Sequence, residues 1–310
     1  MLRTMRLAVL GAGGGLGRNV VDAALAAGHS VVALVRDPAR ADLPAAVTTV
    51  VGDATRAEDI ARAMAGADAA MYCVNPPLAT WLQTFRPLLE AAIAGARTSG
   101  ARLIFPANVW VYGPGRPGER IDESRAATPT SHRGVLRASM EQAIRDAGIR
   151  YALIRLPEFY GPSVTTLTAR PIYAALRNKR TLWPGRLDAD VEFVFMPDAA
   201  RALVEVAVAP NCDAEVFHLP GIPTTPRKFV ECVYGQVGAK ARVTGIHGWP
   251  LALVGKFDAT VGAVSDIGHL WTHPVLLDGA KYRARFGEVL LTSLDEAVAT
   301  TLRWHRKAAS

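Results

Sequence analysis

A glycine-rich segment close to the N-terminus restricts the fold of this chain more than any other feature. The apolar run RLAVL leads directly into GAGGGLG at residues 11–17, and a stretch with helical spacing follows. Strict GxGxxG spacing does not fit, because Leu16 takes the place of its last glycine, whereas Gly11, Gly14 and Gly17 fit GxxGxxG. A strand, a glycine loop and a helix in this order are typical of the loop that holds a dinucleotide pyrophosphate. A glycine-rich turn without a ligand is the alternative.

Apolar runs and alanine-rich stretches alternate through the first half of the chain. The short apolar runs indicate buried parallel strands at 6–10, 30–35, 47–51, 69–74, 102–105 and 151–156. Stretches with helical spacing separate them at 16–27, 56–65, 78–98 and 139–146. This alternation predicts an α/β fold with a doubly wound parallel sheet, the Rossmann fold, because crossovers between parallel strands are right-handed.

The second half of the chain is less regular. It contains a predicted helix at 169–177, a strand at 192–196, a helix from Pro197 to 208, a strand at 215–219 and a loop through the prolines of 220–226. The remainder is mostly helical, with breaks at glycine and proline. We therefore predict a Rossmann domain at 1–160, to which 191–220 return, and a smaller, mostly helical substrate-binding region at 161–190 and 221–310.

The composition excludes several other classes of protein. Half of the 310 residues are hydrophobic and only 20% are charged, which excludes a disordered chain. The cysteines, Cys73, Cys212 and Cys232, are far apart and form no CxxC pair, so neither a disulfide framework nor a zinc site is expected. A reducing, cytoplasmic location is the simplest interpretation. We find no signal peptide and no apolar run of membrane-spanning length.

The net charge of +7 is spread along the chain. Its densest cluster, Arg177, Lys179 and Arg180, is too short for a nucleic-acid tract and is interpreted as a solvated surface. A positive field that favours anionic ligands, including dinucleotide phosphates, is the functional alternative. We accordingly expect a small-molecule substrate, no nucleic-acid or membrane partner, and a monomer or a homodimer.

Residues after the second, third and fourth strands indicate which cofactor binds. Arg36 stands where an acidic residue usually meets a free adenosine ribose, and arginine can hold a 2′-phosphate through paired donors. This predicts NADP, with NAD as the alternative because Asp37 follows; an exposed loop arginine is the structural alternative. Asp53 is predicted to accept from the adenine amino group or to cap a helix near Thr55. Asn75 lies where a loop should pass under the cofactor.

Several ordered segments resemble the extended short-chain dehydrogenase/reductase superfamily, the NAD(P)-dependent epimerase/dehydratase group. These segments are the glycine loop, Arg36, VVGDATR with Asp53, and residues 103–114, 154–162, 191–203 and 216–225. The resemblance spans most of the chain. It implies an N-terminal Rossmann domain, a smaller C-terminal substrate region, and a cofactor over the C-terminal edge of the sheet.

The chain departs from this family at the catalytic positions. Enzymes of the family use a Tyr-x-x-x-Lys pair with a serine or threonine, but none of the seven tyrosines here has a lysine four residues later. Aligning the YG of VWVYGP places Asn108 at the serine position. Aligning the helix SHRGVLRASME through Glu141 places Arg133 at the tyrosine position and Arg137 at the lysine position.

These substitutions leave the source of a proton open. The resemblance implies that Asn108 donates a hydrogen bond to a substrate oxygen, Arg133 binds an anion or polarises a carbonyl, and Arg137 holds the nicotinamide ribose. Arginine is too weak an acid to donate a proton at neutral pH. The candidate sources are bound water, Tyr112, His132 and Tyr160. Glu158 fills a position that commonly faces substrate in the family, or it pairs with a nearby arginine.

The sequence thus predicts an NADP(H)-binding oxidoreductase or epimerase/dehydratase-like protein that acts on a small carbonyl-type or anionic substrate. A catalytically inactive NADP(H)-binding sensor or regulatory protein is the alternative. The predicted catalytic residues are Asn108, His132, Arg133 and Arg137, and the predicted substrate-binding residues are Asn108, Tyr112 and Glu158. The predicted cofactor-binding residues are Gly11, Gly13, Gly14, Gly15, Leu16, Gly17, Arg36, Asp53, Ala54, Asn75 and Arg137.

Other histidines and tryptophans are predicted to be structural. His218 follows a buried strand and is expected to be a satisfied core residue. Core packing is also expected for the tryptophans Trp249, Trp271 and Trp304, with the lining of a substrate pocket as the alternative. No metal site is predicted, because the spacing of the histidines at 247, 269 and 273 does not resemble that of metal ligands.

Overall fold

The computed structural model describes residues 3–257 and 259–309, and the chain divides into two compact units. The first unit contains the residues up to Ala107 together with Ser139–Arg155 and Ala199–Phe217. The second contains Asn108–Ala138, Leu156–Asp198 and the residues from His218 onward. The sequence analysis grouped four segments with the Rossmann domain that belong to the second unit: 108–138, 156–160, 191–198 and 218–220.

A seven-stranded sheet in the order β11-β7-β5-β4-β1-β2-β3 forms the centre of the first unit. Its strands are β1 (Arg6–Leu10), β2 (Ser30–Val35), β3 (Thr48–Val51), β4 (Ala69–Tyr72), β5 (Arg102–Asn108), β7 (Tyr151–Leu156) and β11 (Glu215–His218). The early helices are α1 (Gly15–Ala26), α2 (Pro38–Ala41), α3 (Ala57–Met64) and α4 (Trp81–Ser99), with a short 3-10 helix at Leu78–Thr80 before α4.

The strand order reverses between β1 and β4, which confirms the predicted doubly wound fold. The pairs β1–β2, β2–β3, β1–β4 and β4–β5 are all parallel. Strand β1 is buried from Leu7 to Leu10 because helices cover both faces of a sheet of this kind. Ligands of such sheets bind beyond the C-terminal ends of the strands, where the order reverses.

The second unit contains smaller sheets and most of the remaining helices. A three-stranded sheet has the order β12 (Ile222–Thr224), β10 (Val191–Phe195) and β8 (Glu158–Tyr160). Strand β9 (Thr181–Trp183) pairs with β13 (Val243–Gly245). Strand β6 (Arg120–Ile121) pairs with β14 (Leu276–Leu277). The remaining helices of the chain are a 3-10 helix at Val109–Val111, α5 (His132–Asp146), α6 (Ala169–Leu176), α7 (Met196–Val208), α8 (Pro226–Gly235), α9 (Trp249–Gly255), α10 (Ala259–Asp266), α11 (His269–Thr272), α12 (Ala280–Phe286) and α13 (Leu294–Ala309).

Two predicted segments differ from the structure. The predicted loop at 220–226 contains β12, which pairs antiparallel with β10, and ends at the first residue of α8. Helix α5 begins at His132, earlier than the predicted start at 139. The hydroxyl of Ser131 accepts a hydrogen bond from the Gly134 amide at 3.0 Å, which is the pairing of an N-terminal cap.

The tryptophans do not share one environment. Trp271 is buried, as predicted, and its ring packs edge to face on Trp183 with the centroids 5.4 Å apart. The prediction of core packing is wrong for Trp249, whose side chain is 77% exposed, and Trp304 is also exposed. Within the part of the chain that is described, no helix has both the length and the apolar character needed to cross a bilayer.

Candidate functional site

The glycine loop adopts a conformation that side chains would prevent. Gly11 has a φ of +83°, in the left-handed region, and a Cβ atom there would lie 3.0 Å from the backbone of Cys73. A Cβ on Gly17 would lie 2.2 Å from the Gly11 carbonyl oxygen. The loop therefore turns directly after β1 and packs the first turn of α1 closely against it, which is the role of glycines in a dinucleotide loop.

The start of α1 offers backbone amides to an anion. Gly14 occupies the N-cap position, and glycine has no side chain with which to accept hydrogen bonds from the first amides of the helix. Gly13 and Gly14 are exposed, and Gly15 and Leu16 are half-buried. The positive end of the helix dipole and these amides fit a pyrophosphate. NAD(P) is therefore a group that the residues of the loop can hold.

The segment after β2 separates the roles of Arg36 and Asp37. The Asp37 carboxylate accepts hydrogen bonds from the amides of Ala39 and Arg40, at 3.0 and 3.4 Å, and so caps α2. Arg36 is exposed at the C-terminal end of β2. The NAD alternative rested on the carboxylate of Asp37, which is thus engaged by the amides of its own helix. Arg36, in contrast, is exposed.

Asp53 lies after β3 but does not cap a helix. Helix α3 begins at Ala57 with Arg56 at the N-cap position, so the expectation of a helix near Thr55 with Asp53 as its cap is wrong. The Asp53 carboxylate instead accepts from the amide and the hydroxyl of Thr55, both at 2.9 Å. These hydrogen bonds, with a smaller contribution from the charge of Arg36, lower the pKa of Asp53. Asp53 and the adjacent Ala54 are half-buried.

The predicted cofactor residues of the first unit follow four adjacent strands. The glycine loop follows β1, Arg36 follows β2, Asp53 follows β3, and the exposed Asn75 lies shortly after β4. Because these strands are neighbours in the order β4-β1-β2-β3 and are parallel, their C-terminal ends lie at one edge of the sheet. The structure therefore places these residues together at that edge. Arg137 lies apart from them in the chain, on α5, and its side chain is buried.

Tyr112 and His218 form a buried pair in the second unit. Nδ1 of His218 lies 3.0 Å from the carbonyl oxygen of Ile121 and therefore donates to it. Its Nε2 is then an acceptor, and the Tyr112 hydroxyl donates to it at 2.7 Å. The backbone amide of His218 donates to Glu123 at 2.6 Å. The prediction of a satisfied core histidine is confirmed, and the Tyr112 proton is engaged in the same network.

Asp266 joins His132 and Arg133 at the start of α5. One carboxylate oxygen accepts from the amide of His132 at 3.1 Å and lies 2.9 Å from its Nδ1. The other accepts from the amide of Arg133 at 3.1 Å and from its guanidinium at 3.2 Å. Burial alone would raise the pKa of Asp266, but these hydrogen bonds outweigh burial and lower it. No local sequence signal points to Asp266, which lies 134 residues after His132.

Exposure distinguishes the predicted catalytic residues. The His132 side chain is 84% exposed, whereas that of Arg133 is almost fully buried. Asn108 is half-buried, and its side-chain oxygen accepts from the Trp110 amide at 3.2 Å, which leaves its amide nitrogen as the donor predicted for a substrate oxygen.

Glu158 and Tyr160 lie on the same short strand but differ chemically. Glu158 is half-buried and accepts a hydrogen bond from the Thr166 hydroxyl at 3.2 Å. Burial raises its pKa to about 7, and the hydrogen bond from Thr166 offsets this only in part. Tyr160 is buried among Phe193, Phe195 and Phe229, and burial raises the pKa of its hydroxyl, which has no hydrogen-bond partner among the described residues.

The fold and the glycine loop together define a dinucleotide-binding protein of the Rossmann type. The family described as NAD(P)H-binding matches residues 11–171, which is more than half of the chain. The chain belongs to this NAD(P)H-binding family. The predicted NAD(P)-binding family and the predicted Rossmann fold are thereby confirmed.

Known proteins of similar sequence and structure include a ketoreductase and several sugar-nucleotide enzymes. The 4-hydroxy-2-methyl-3-oxo-4-farnesyl-3,4-dihydroquinoline-1-oxide ketoreductase of Stigmatella aurantiaca is 28% identical over 266 residues, which cover 78% of this chain and 76% of that protein. The dTDP-glucose 4,6-dehydratase DesIV of Streptomyces venezuelae, solved with NAD, has a TM-score of 0.80 at 21% identity, covering 98% of this chain and 97% of that one. The Thermotoga maritima UDP-glucose 4-epimerase, solved with UDP-glucose, has a TM-score of 0.78 at 18% identity, covering 99% and 100%. At these identities the solved structures establish the fold alone.

Proposed function

We propose that this protein is an NADPH-dependent reductase of a ketone carried on an apolar ring system. The observation that carries the proposal is the glycine loop, whose close packing and open helix start fit a dinucleotide pyrophosphate. The relative from Stigmatella aurantiaca, which is named as the ketoreductase of a farnesylated 3-oxo-dihydroquinoline, supports the reaction and the apolar character of the substrate. When bound, NADPH supplies a hydride to the carbonyl carbon.

The exposed Arg36 supports NADPH over NADH. A 2′-phosphate at the end of β2 would meet a guanidinium, and the neighbouring Asp37 carboxylate is engaged by the amides that it caps. Paired donors of arginine suit a phosphate, whereas a free carboxylate would repel it.

The environment of Arg133 favours a neutral carbonyl over an anionic substrate. Its guanidinium is buried and lies 3.2 Å from the Asp266 carboxylate, which compensates its charge. A second anion at this arginine would have to compete with a fixed carboxylate.

Glu158 is the proton donor that we propose for the carbonyl oxygen. The Tyr112 hydroxyl already donates to His218, and the hydroxyl of Tyr160 is buried among aromatic rings. His132 extends into solvent. Glu158 is half-buried, and a pKa of about 7 makes it a carboxylic acid that can hold and release a proton near neutral pH. Proton transfer from Glu158 would complete the alcohol and leave Glu158 as a carboxylate.

Two measurements test the cofactor and the reaction separately. We expect calorimetric titration to show tighter binding of NADPH than of NADH. We also expect loss of NADPH absorbance with apolar α-hydroxy ketones such as benzoin and 2-hydroxyacetophenone. Absence of binding by either nicotinamide would contradict the cofactor assignment. Binding without turnover across aromatic and prenylated ketones would instead favour the inactive sensor.

A glutamine substitution tests the proton donor. Glu158→Gln should lower kcat by about 100-fold or more, because general acid catalysis contributes about that much, and should leave the Kd for NADPH unchanged. In the unmodified protein, kcat should fall as the pH rises above about 7, where Glu158 loses its proton. Glu119→Gln, at another half-buried glutamate, which is paired with Arg125, is the control and should retain kcat. A Glu158→Gln variant with unchanged kcat and pH profile would refute the assignment.

A further inference from the structure

Exposed apolar side chains are concentrated around helix α9. Trp249, Leu253 and Phe257 are 77%, 47% and 86% exposed. Their spacing of four residues places Trp249 and Leu253 on one face of α9, and Phe257 follows shortly after the end of the helix. We call residues 249–257, with these three exposed side chains, the apolar arm.

The folding of the second unit does not account for this exposure. Helix α10, which follows the arm, buries Ala263 and Val264. The three large side chains of the arm are not buried. Contiguous apolar surface of this kind marks a site of interaction with another molecule or with a membrane.

Basic residues outnumber acidic ones around the arm. Residues 231–258 contain the bases Lys240, Arg242 and Lys256 and the acids Glu231 and Asp258. Strand β13 leads towards the arm and pairs in parallel with β9. The amide of Thr181 donates to the Arg242 carbonyl at 2.9 Å, so Arg180 and Arg242 lie side by side at the start of the paired strands.

Both arginines are held in place by neutral groups. The Arg180 guanidinium donates to the Thr244 hydroxyl at 2.9 Å, and that of Arg242 donates to the Asn178 side-chain oxygen at 2.7 Å. These partners orient the side chains but do not neutralise their charge. Leu182, on β9 two residues after Arg180, is also exposed. The arm and the two arginines belong to the same unit, and β13 with residues 246–248 connects Arg242 to the arm.

We propose that the apolar arm and the arginine pair Arg180 and Arg242 bind the surface of an anionic lipid bilayer. Tryptophan, phenylalanine and leucine insert at the boundary of the acyl chains, while arginine and lysine attract lipid phosphates. This surface attachment requires no spanning helix, and it modifies the expectation of no membrane partner. It extends the proposed function, because an apolar ketone partitions into lipid, but the observations behind it are independent of the cofactor loop.

Vesicle sedimentation with the full-length protein tests the proposal without substrate. We expect binding to vesicles in which about a third of the phosphatidylcholine is replaced by phosphatidylglycerol, and binding at least about tenfold weaker to phosphatidylcholine alone. Added salt should weaken the binding to anionic vesicles. The triple variant Trp249→Ser, Leu253→Ser, Phe257→Ser should lose at least about tenfold in affinity for the anionic vesicles.

Two controls separate lipid binding from other causes. Leu290→Ser changes a side chain that is 80% exposed outside the arm and should bind vesicles as the unmodified protein does. Urea titration of every variant shows whether the chain, including the second unit that carries the arm, remains folded, and a failure of the proposed reductase activity would leave the vesicle result unaffected. Equal sedimentation of the triple variant and the unmodified protein, or no sedimentation with either vesicle, would overturn the proposal. So would self-association that the triple variant abolishes, because a second copy would then cover the arm.

Discussion

Replacing Arg36 by glutamine should reduce the preference for NADPH without disturbing the fold. Arg36 is exposed at the end of β2, and its neighbour Asp37 keeps its helix-capping hydrogen bonds in the variant. A hydrogen bond to a charged group contributes about 1.5–3 kcal/mol, which corresponds to about 10- to 150-fold in Kd. Because Arg36 is exposed, where water and salt screen charge, we expect the lower end of this range for NADPH. NADH lacks the 2′-phosphate, so its Kd should change by less than about twofold.

Calorimetric titration of the two coenzymes measures this change directly. Arg40→Gln is a matched control, since Arg40 is another exposed arginine on the same short segment and follows the Asp37 cap. We expect the ratio of the two Kd values to change in Arg36→Gln and to stay constant in Arg40→Gln. A shift that increases with lower salt would agree with a charge contact.

An unchanged ratio in Arg36→Gln would refute the assignment of the 2′-phosphate to Arg36. Equal loss of affinity for NADPH and NADH would also contradict it, because a contact to the shared part of both coenzymes cannot discriminate between them. The glycine loop would remain the proposed pyrophosphate site in either case, since its geometry does not depend on the Arg36 side chain.

Three further substitutions test separate parts of the structure. Gly17→Ala places a Cβ atom 2.2 Å from the Gly11 carbonyl oxygen and should abolish binding of both coenzymes, as measured by calorimetry. Glu141→Gln removes the buried carboxylate that lies 2.7 Å from the buried guanidinium of Arg155. It should lower the free energy of unfolding by about 3–5 kcal/mol in urea titrations. Glu158 has a raised pKa, so its ionisation opposes folding as the pH rises towards 7 and beyond. The gain in free energy of unfolding from Glu158→Gln should therefore be larger at pH 8 than at pH 5, by up to about 3 kcal/mol. A substitution effect of the same size at both pH values would contradict the raised pKa.

Local sequence patterns predicted the central sheet well because its strands are continuous apolar runs. Strands β1, β2 and β7 have the predicted bounds, and the glycine loop follows β1 as expected. Each of these signals lies within a few residues of the element that it predicts. The predicted cofactor residues of the first unit were chosen for the same reason, since each follows the end of a strand.

Features that depend on distant residues could not be predicted in this way. The carboxylate of Asp266 accepts from the first amides of α5, 134 residues earlier in the chain, and no local pattern reports this contact. The exposure of Trp249 is similar, because its sequence neighbours are as apolar as those of a core helix. The family resemblance implied that Glu158 faces substrate, but its raised pKa depends on the burial that the folded chain provides.

The sequence has no Tyr-x-x-x-Lys pair, which is consistent with a carboxylic acid as proton donor. A carboxylic acid and a tyrosine need opposite electrostatic surroundings to reach a pKa near neutral pH. A tyrosine has an ordinary pKa near 10, so it needs a nearby cation to bring that pKa down to neutral pH. A carboxylic acid has an ordinary pKa near 4, so it needs burial away from cations to bring it up. Glu158 has this second kind of environment, because burial is the largest influence on its pKa and its hydrogen-bond donor, Thr166, is neutral. A lysine close to Glu158 would defeat this arrangement, so a site that uses Glu158 has no need of the lysine that its relatives require.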